Sequence, residues 1–274
     1  FDALVRPNAG LFVTVDQPSR EEPGFQPLTV TEDDGQIVID TGAAQYVLAK
    51  GPSPISRILV NGQIVATAEG TRGLYVVDQR DRLGISSAEG ESIVVESRGP
   101  VAACVRFEGF YRTSDGFPLA RHITRVEAFA GQSAVKVTHT LILTNDSNQV
   151  WFKDIGWELA VAPGINPRAL FGISRDEPEH HVIQEIGPSA PVAYALQESH
   201  FMFGQGTNLF KVVKTDSRGN EELLSAGEEM GDWAALLGEQ GGLLVSVREA
   251  ARQHPKEFEI SADRVVIRLF SGRA

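Results

Sequence analysis

Two arginines and one histidine in a predicted β-hairpin are the residues of this sequence with the clearest chemical potential. Arg121 and Arg125 are four positions apart, so they share one face of a strand. Guanidinium groups on that face could hold a carboxylate by paired hydrogen bonds. His139 lies among valines and leucines of the second strand, where a shifted pKa would suit acid–base work. The structural alternatives are arginines paired with Glu108 or Glu127 on a solvated face, and a core histidine.

Trp151 and Trp157 form a second pair of candidate substrate contacts. Both fall in a predicted strand over residues 151–161, and an indole ring can stack on a sugar ring. Core packing is the alternative, because buried aromatic side chains usually belong to the core. The candidate substrate-binding residues are therefore Arg121, Arg125, His139, Trp151 and Trp157.

No motif in the sequence names a reaction. The chain has no Gly-x-Ser-x-Gly nucleophile elbow, no phosphate-binding glycine loop and no dinucleotide fingerprint. No two acidic residues are marked as the acid and the nucleophile of a glycosidase. The catalytic residues therefore stay unassigned.

The densest set of potential metal ligands is Asp-Glu-Pro-Glu-His-His at residues 176–181. Carboxylates suit calcium and imidazoles suit zinc, but the spacing is neither that of a calcium loop nor that of a zinc helix. We therefore expect a solvated acidic loop, no metal and no cofactor, with calcium unsupported by any motif. Cys104 is the single cysteine, which leaves no partner for an intrachain disulfide.

The hairpin that positions the first candidates runs from Pro118 to Asn145 and turns at residues 129–132. Side chains alternate cleanly along its second strand. The alternation predicts that the apolar positions are buried together, with His139 at or near their face. These positions are Val135, Val137, Leu141 and Leu143.

Short strands at hairpin spacing continue along most of the chain, and the Asn61-Gly62 dipeptide between apolar runs is a strong hairpin signal. The pattern predicts an all-β protein with a boundary near residue 99. A small N-terminal β-domain is expected over residues 1–99, and a larger antiparallel β-sandwich over residues 100–274. Residues 162–220 are expected to form long loops, and Arg248 to Gln253 a short helical stretch.

The composition limits the partners. The formal net charge is −11 without a compensating basic block, so a nucleic acid is not expected. No apolar run approaches the roughly 20 residues of a membrane helix. The chain begins at Phe1 without a methionine or a signal segment, and we expect a processed product or an excised piece.

Three segments, taken in order, carry a resemblance to a known family. The first is DTGAAQYVL at residues 40–48, followed by the turn at residues 60–62. The second is RVEAFAG at residues 125–131, which leads into VKVTHT at residues 135–140. The third is VREAARQHPKEFEI at residues 247–260. Together they are similar to the exo-rhamnogalacturonan lyase (PcRGLX)/YetA-like family of polysaccharide lyases.

The resemblance implies a small N-terminal β-barrel (RIFT-like), here over residues 1–99, a central β-sandwich, and a C-terminal α/α toroid that supplies much or all of the lyase cleft. The chain covers the first two parts, so we expect a β-rich, non-catalytic portion of a lyase-like protein. The implied partners are an acidic, uronate-containing polysaccharide and the toroid of the same parent chain. The implied location is secreted, periplasmic or at the cell surface.

Two alternatives to this interpretation stay open. The chain could be an independent carbohydrate-binding or adhesive module. It could also be a structural β-protein that assembles into a surface layer or fibre, in which case a homo-oligomer is expected.

Overall fold

The computed structural model describes residues 26–33, 35–198 and 209–273. All the regular secondary-structure elements in these ranges are β-strands. The all-β prediction is confirmed, and no helix in the described ranges is long and apolar enough to cross a membrane. The strands are β1 (Thr29–Asp33), β2 (Gln36–Asp40), β3 (Gln45–Ala49), β4 (Ile55–Val60), β5 (Gln63–Thr67), β6 (Leu74–Asp78), β7 (Leu83–Ser86), β8 (Ser92–Arg98), β9 (Ala102–Arg112), β10 (Pro118–Phe129), β11 (Val135–Leu143), β12 (Phe152–Val161), β13 (Arg168–Gly172), β14 (His181–Glu185), β15 (Val192–Gln197), β16 (Phe210–Thr215), β17 (Glu221–Gly227), β18 (Trp233–Gly238), β19 (Gly241–Ser246), β20 (Lys256–Ser261) and β21 (Arg264–Phe270).

The strands form one large and one small antiparallel sheet. The large sheet contains 17 strands, and the small one has the order β14-β13-β18-β19. β4 and β5 are joined by the predicted turn, in which Asn61 and Gly62 both have positive φ values of 52° and 75°. This is the backbone form that the Asn-Gly pair favours in a two-residue hairpin.

The longest described strands, β9 and β10, form the pair that includes Arg121 and Arg125. Their exposure alternates residue by residue, as expected where one face of a sheet is covered and the other meets solvent. Thr124 pairs with His139 in the register of β10 with β11. The chain turns between these two strands at Gly131, which has a φ of 73°.

The large core cluster packs between the sheets, and residues of β9 and β10 contribute to it. Val135 and Val137 pack against this cluster, whereas Leu141 packs against a second cluster around Tyr111. The expectation that Leu143 joins them is wrong, because its side chain is 58% exposed. Leu143 is the last residue of β11, and it belongs to neither of these two core clusters.

Two local predictions are also wrong. Residues 162–220 contain β13, β14, β15 and β16, with residues 199–208 outside the described ranges. The prolines of this stretch lie between the strands and not within them, so they mark turns in a strand-rich region. Residues 248–253 form turns and not a helix, since Glu249 adopts a positive φ of 53°, which a right-handed helix does not allow.

The strands on either side of residue 99 pair with each other. β8 pairs with β9 over residues 92–98 and 103–108, and β7 pairs with the end of β9. The large sheet is therefore continuous across this position. The division into a barrel over 1–99 and a sandwich over 100–274 stays a prediction.

Candidate functional site

The outer face of β9 and β10 carries a row of ion pairs that includes both predicted arginines. Arg125 donates two hydrogen bonds to Glu96, at 2.7 and 3.0 Å, and Arg121 pairs with Glu108. Arg106 lies between them and contacts both carboxylates. Hydrogen bonding by Arg125 lowers the pKa of the Glu96 carboxyl. An acidic ligand would have to displace an existing carboxylate from either arginine.

The inner face of the same strands carries a polar cluster, which we call the inner network. At its centre Thr124 Oγ1 lies 2.8 Å from His139 Nδ1, and the Tyr111 hydroxyl lies 3.0 Å from His139 Nε2. Both nitrogens of this imidazole therefore have a protein partner, as the structural alternative for His139 required. The inner network comprises Ser86, Glu91, Tyr111, His122, Thr124 and His139.

A second histidine, His122, extends the inner network towards an acidic residue. Its Nε2 atom lies 3.0 Å from Ser86 Oγ, and Ser86 donates to Glu91 at 3.3 Å. The other oxygen of Glu91 accepts a 2.8 Å hydrogen bond from the backbone N–H of Gly51. Glu91 thus links the loop before β8 to the loop between β3 and β4.

Burial disfavours the charged forms of the titratable groups in the inner network. It lowers the pKa of His122 to about 4, and it lowers the pKa of His139 to about 4 with a smaller contribution from His122. Burial also raises the pKa of Glu91 to about 7. Both imidazoles are therefore neutral at physiological pH, and Glu91 is partly protonated there.

A serine next to a histidine is the geometry of an activated nucleophile, but this pair is closed to substrate. Ser86 and His122 are each 1% exposed. Sequence reasoning placed His122 opposite the arginines but missed its link to Glu91 and Ser86. No local signal marks these two residues, because their contact depends on how the β7–β8 segment packs on β10.

The two predicted tryptophans have different environments. Trp157 is partly buried, packs against both core clusters and donates its indole N–H to Ser53 at 3.0 Å. Trp151 precedes β12 and is 54% exposed, more than any other aromatic side chain in the described ranges. Of the pair, only Trp151 presents a large ring surface to solvent.

The backbone of Trp151 is held by the turn between β6 and β7. Its N–H donates to the side-chain oxygen of Gln79, and its carbonyl accepts from the backbone N–H of Gln79, each at 3.0 Å. The side-chain amide of Gln79 also donates to the carbonyl of Gln149. On the same turn Asp81 forms an ion pair with Lys153. We call Gln79, Asp81, Trp151 and Lys153 the Trp151 platform.

A charged groove that the sequence did not indicate lies near β12 and β21. It has a volume of about 520 Å³, and Arg72, Glu158, Glu259 and Arg264 are among its lining residues. Glu158 is nearly buried and pairs with both Arg72 and Arg264. The positive charges of the two arginines in this lining balance the negative charges of the two glutamates.

Behind the groove, a buried arginine joins several carboxylates. Arg268 contacts Asp154, Glu257 and Glu259, and Arg273 contacts the last two. The Glu257 side chain is fully buried, and burial raises its pKa against the opposing effect of Arg268. The cluster ties β12, β20 and β21 together by charge.

The segment 176–181 does not assemble a metal site in the structure. His180 pairs with Glu177, whereas the His181 ring lies against Trp233. Within the described ranges, no group of three or more histidine, cysteine, aspartate or glutamate side chains could hold a metal ion.

Comparison with protein-family models gave a match. The model of the PcRGLX-like protein central beta sandwich domain matches residues 28–166. The match covers β1 to β12, including the hairpin, the inner network and the Trp151 platform. No curated protein matches the chain.

Proposed function

The chain belongs to the PcRGLX-like family, whose central β-sandwich model covers 139 of its 274 residues (28–166), and from this we propose that it is the β-rich, non-catalytic portion of a polysaccharide lyase-like protein. In this proposal it contacts a uronate-containing polysaccharide outside the cytoplasm. β-Elimination is carried out by an α/α toroid of the same parent protein.

The observation that carries the proposal is the separation of the candidate catalytic groups. A lyase must neutralise the uronate carboxylate and remove the proton α to it, so both groups must reach the same sugar. Arg121 and Arg125 point to the outer face of β10, whereas Thr124 pairs with His139 on the inner face. One sugar cannot contact groups on both sides of a sheet. The arginines are also engaged by Glu108 and Glu96.

An ultraviolet assay tests this proposal directly, because β-elimination forms a conjugated unsaturated uronate that absorbs there. We expect no absorbance increase when the purified chain is incubated with rhamnogalacturonan or polygalacturonate, but measurable binding of these polymers. Turnover that is lost in Arg121→Ala or His139→Ala would overturn the non-catalytic assignment.

Assembly into a layer or fibre is the second candidate function, and the β11 edge favours it. Among the described strands, β11 pairs with β10 alone, so one edge of a nine-residue strand is open. Open edges can pair with another chain. Light scattering that gives a concentration-independent monomer mass would exclude this candidate.

A further inference from the structure

We infer that the Trp151 platform is a binding site for a pyranose ring that carries a carboxylate, that is, one uronate residue of an acidic glycan. The inference rests on the proposed function, because it places the expected polysaccharide contact at Gln79, Asp81, Trp151 and Lys153. It is independent of the arginines and the histidine of the hairpin.

Trp151 exposes a large aromatic ring on a fixed backbone. Trp151 is 54% exposed, while one residue, Gln79, bonds both its backbone N–H and its carbonyl. A backbone that is already fixed loses less conformational entropy when a ligand binds. The backbone that carries the exposed indole is therefore preorganised.

Two charged side chains, Lys153 and Asp81, lie on the segments that carry Trp151 and Gln79. Lys153 lies two residues beyond Trp151, and its ammonium group pairs with Asp81 on the turn that holds Trp151. Both charged side chains are accessible, at 39% and 79% exposure. An ammonium can pair with a sugar carboxylate, and a carboxylate can accept hydrogen bonds from sugar hydroxyls.

A sugar fits this combination better than a protein surface. The C–H face of a pyranose covers an indole, while its hydroxyls and carboxylate point outward to polar groups. A protein interface would instead deplete charged side chains at its centre, and here the Lys153–Asp81 ion pair lies on the same two segments as Trp151 and Gln79. Binding of a second copy of the chain at this site is therefore the alternative that the experiment tests.

Binding of two short glycans by calorimetry tests the inference. The probes are a galacturonate oligosaccharide and an uncharged galactose oligosaccharide, each at low and high salt. Trp151→Ala should weaken binding of the acidic probe on the order of tenfold. Leu143→Ala, which truncates an equally exposed apolar side chain elsewhere (58%), should leave affinity unchanged.

The charged pair gives variants with opposite expected effects. Lys153→Gln should weaken binding of the galacturonate probe and reduce its salt dependence, because one charge contact is lost. Asp81→Asn should strengthen binding of the same probe, since Lys153 loses its competing partner. Neither variant should improve binding of the uncharged probe.

The outcomes separate the two proposals. If the wild-type chain binds the acidic probe and Trp151→Ala binds equally well, the platform is not the site, and the proposed function stands. If the wild-type chain binds no acidic glycan, the proposed function fails and the inference fails with it. If Trp151→Ala abolishes self-association in light scattering and leaves glycan binding intact, the ring serves a second copy, and the inference is wrong.

Discussion

Thr124 and His139 face each other across the β10–β11 pair, with the threonine hydroxyl oxygen 2.8 Å from Nδ1 of the imidazole. Tyr111 meets the other ring nitrogen at 3.0 Å. One nitrogen must donate and the other accept, since the ring is neutral. The histidine that the sequence offered as a catalytic base thus uses both nitrogens to link β11 to β10 and β9.

Removing this imidazole should destabilise the fold. His139→Ala leaves the hydroxyls of Tyr111 and Thr124 without this partner, and we expect a loss of about 1–3 kcal/mol in the free energy of unfolding. Thr140→Ala, at an exposed neighbouring position, should change it by less than about 0.5 kcal/mol. Urea unfolding followed by circular dichroism measures both, and equal midpoints would contradict the role of His139.

Glu91 should make the fold less stable as the pH rises. Its pKa in the folded protein is about 7, against an ordinary value of 4.5. The folded state therefore holds the proton more tightly, and this contribution is lost between about pH 4.5 and 7. The full effect is roughly 3 kcal/mol. Glu91→Gln, which cannot titrate, should remove this decrease.

The two histidines of the inner network should make the fold less stable as the pH falls. Their folded pKa values of about 4 lie below the ordinary 6.5, so stability is lost as the pH falls from about 6.5 to 4. In the wild type Glu91 offsets part of this loss. Denaturant midpoints measured across this range should therefore fall more steeply with acid in Glu91→Gln, and parallel curves would count against the network.

Gly156 should not tolerate a side chain. A Cβ atom there would lie 2.5 Å from the hydroxyl of Tyr75, a fully buried residue. We expect Gly156→Ala to cost about 1–3 kcal/mol through overpacking. Gly187→Ala is the matched control, because nothing lies within 4 Å of its Cβ position. Thermal unfolding should shift for the first variant and not for the second.

Arg268 should be the most costly arginine to remove. Arg268→Ala leaves the fully buried carboxylate of Glu257 without its 2.5 Å partner, and breaking such a pair costs about 3–5 kcal/mol. Arg98→Ala breaks an exposed pair with Glu32 and should cost at most about 1 kcal/mol. Thermal unfolding and expression yield of the two variants measure this difference. Equal unfolding temperatures and yields would contradict the ranking.

The periodicity of side chains within a strand predicted the features that depend on that strand alone. The alternation along β10 placed the arginines on one face and His122 on the other, and the Asn61-Gly62 turn followed from two residues. Leu143 departed from its pattern because burial also requires side chains from other segments to cover it, and this last residue of β11 is 58% exposed. Sequence spacing cannot report this.

The candidate site depended on contacts between distant segments. Glu91 meets the inner network only because Ser86 and His122 are brought together across 36 residues. Trp151 and Gln79, separated by 72 residues, meet through the pairing of β6 with β12. Each residue was visible in the sequence, but its partner was not, since register between remote strands is set by the whole sheet.

The inner network affects which strand register the β10–β11 hairpin adopts during folding. Side chains alternate with a period of two, so a slip of β11 by one residue would turn His139 to solvent and bring Thr138 or Thr140 inside. The same slip would turn Val135, Val137 and Leu141 away from the core, and it would also break both hydrogen bonds of the imidazole. The imidazole between Thr124 and Tyr111 therefore penalises the misaligned hairpins, and this position selects one register during folding.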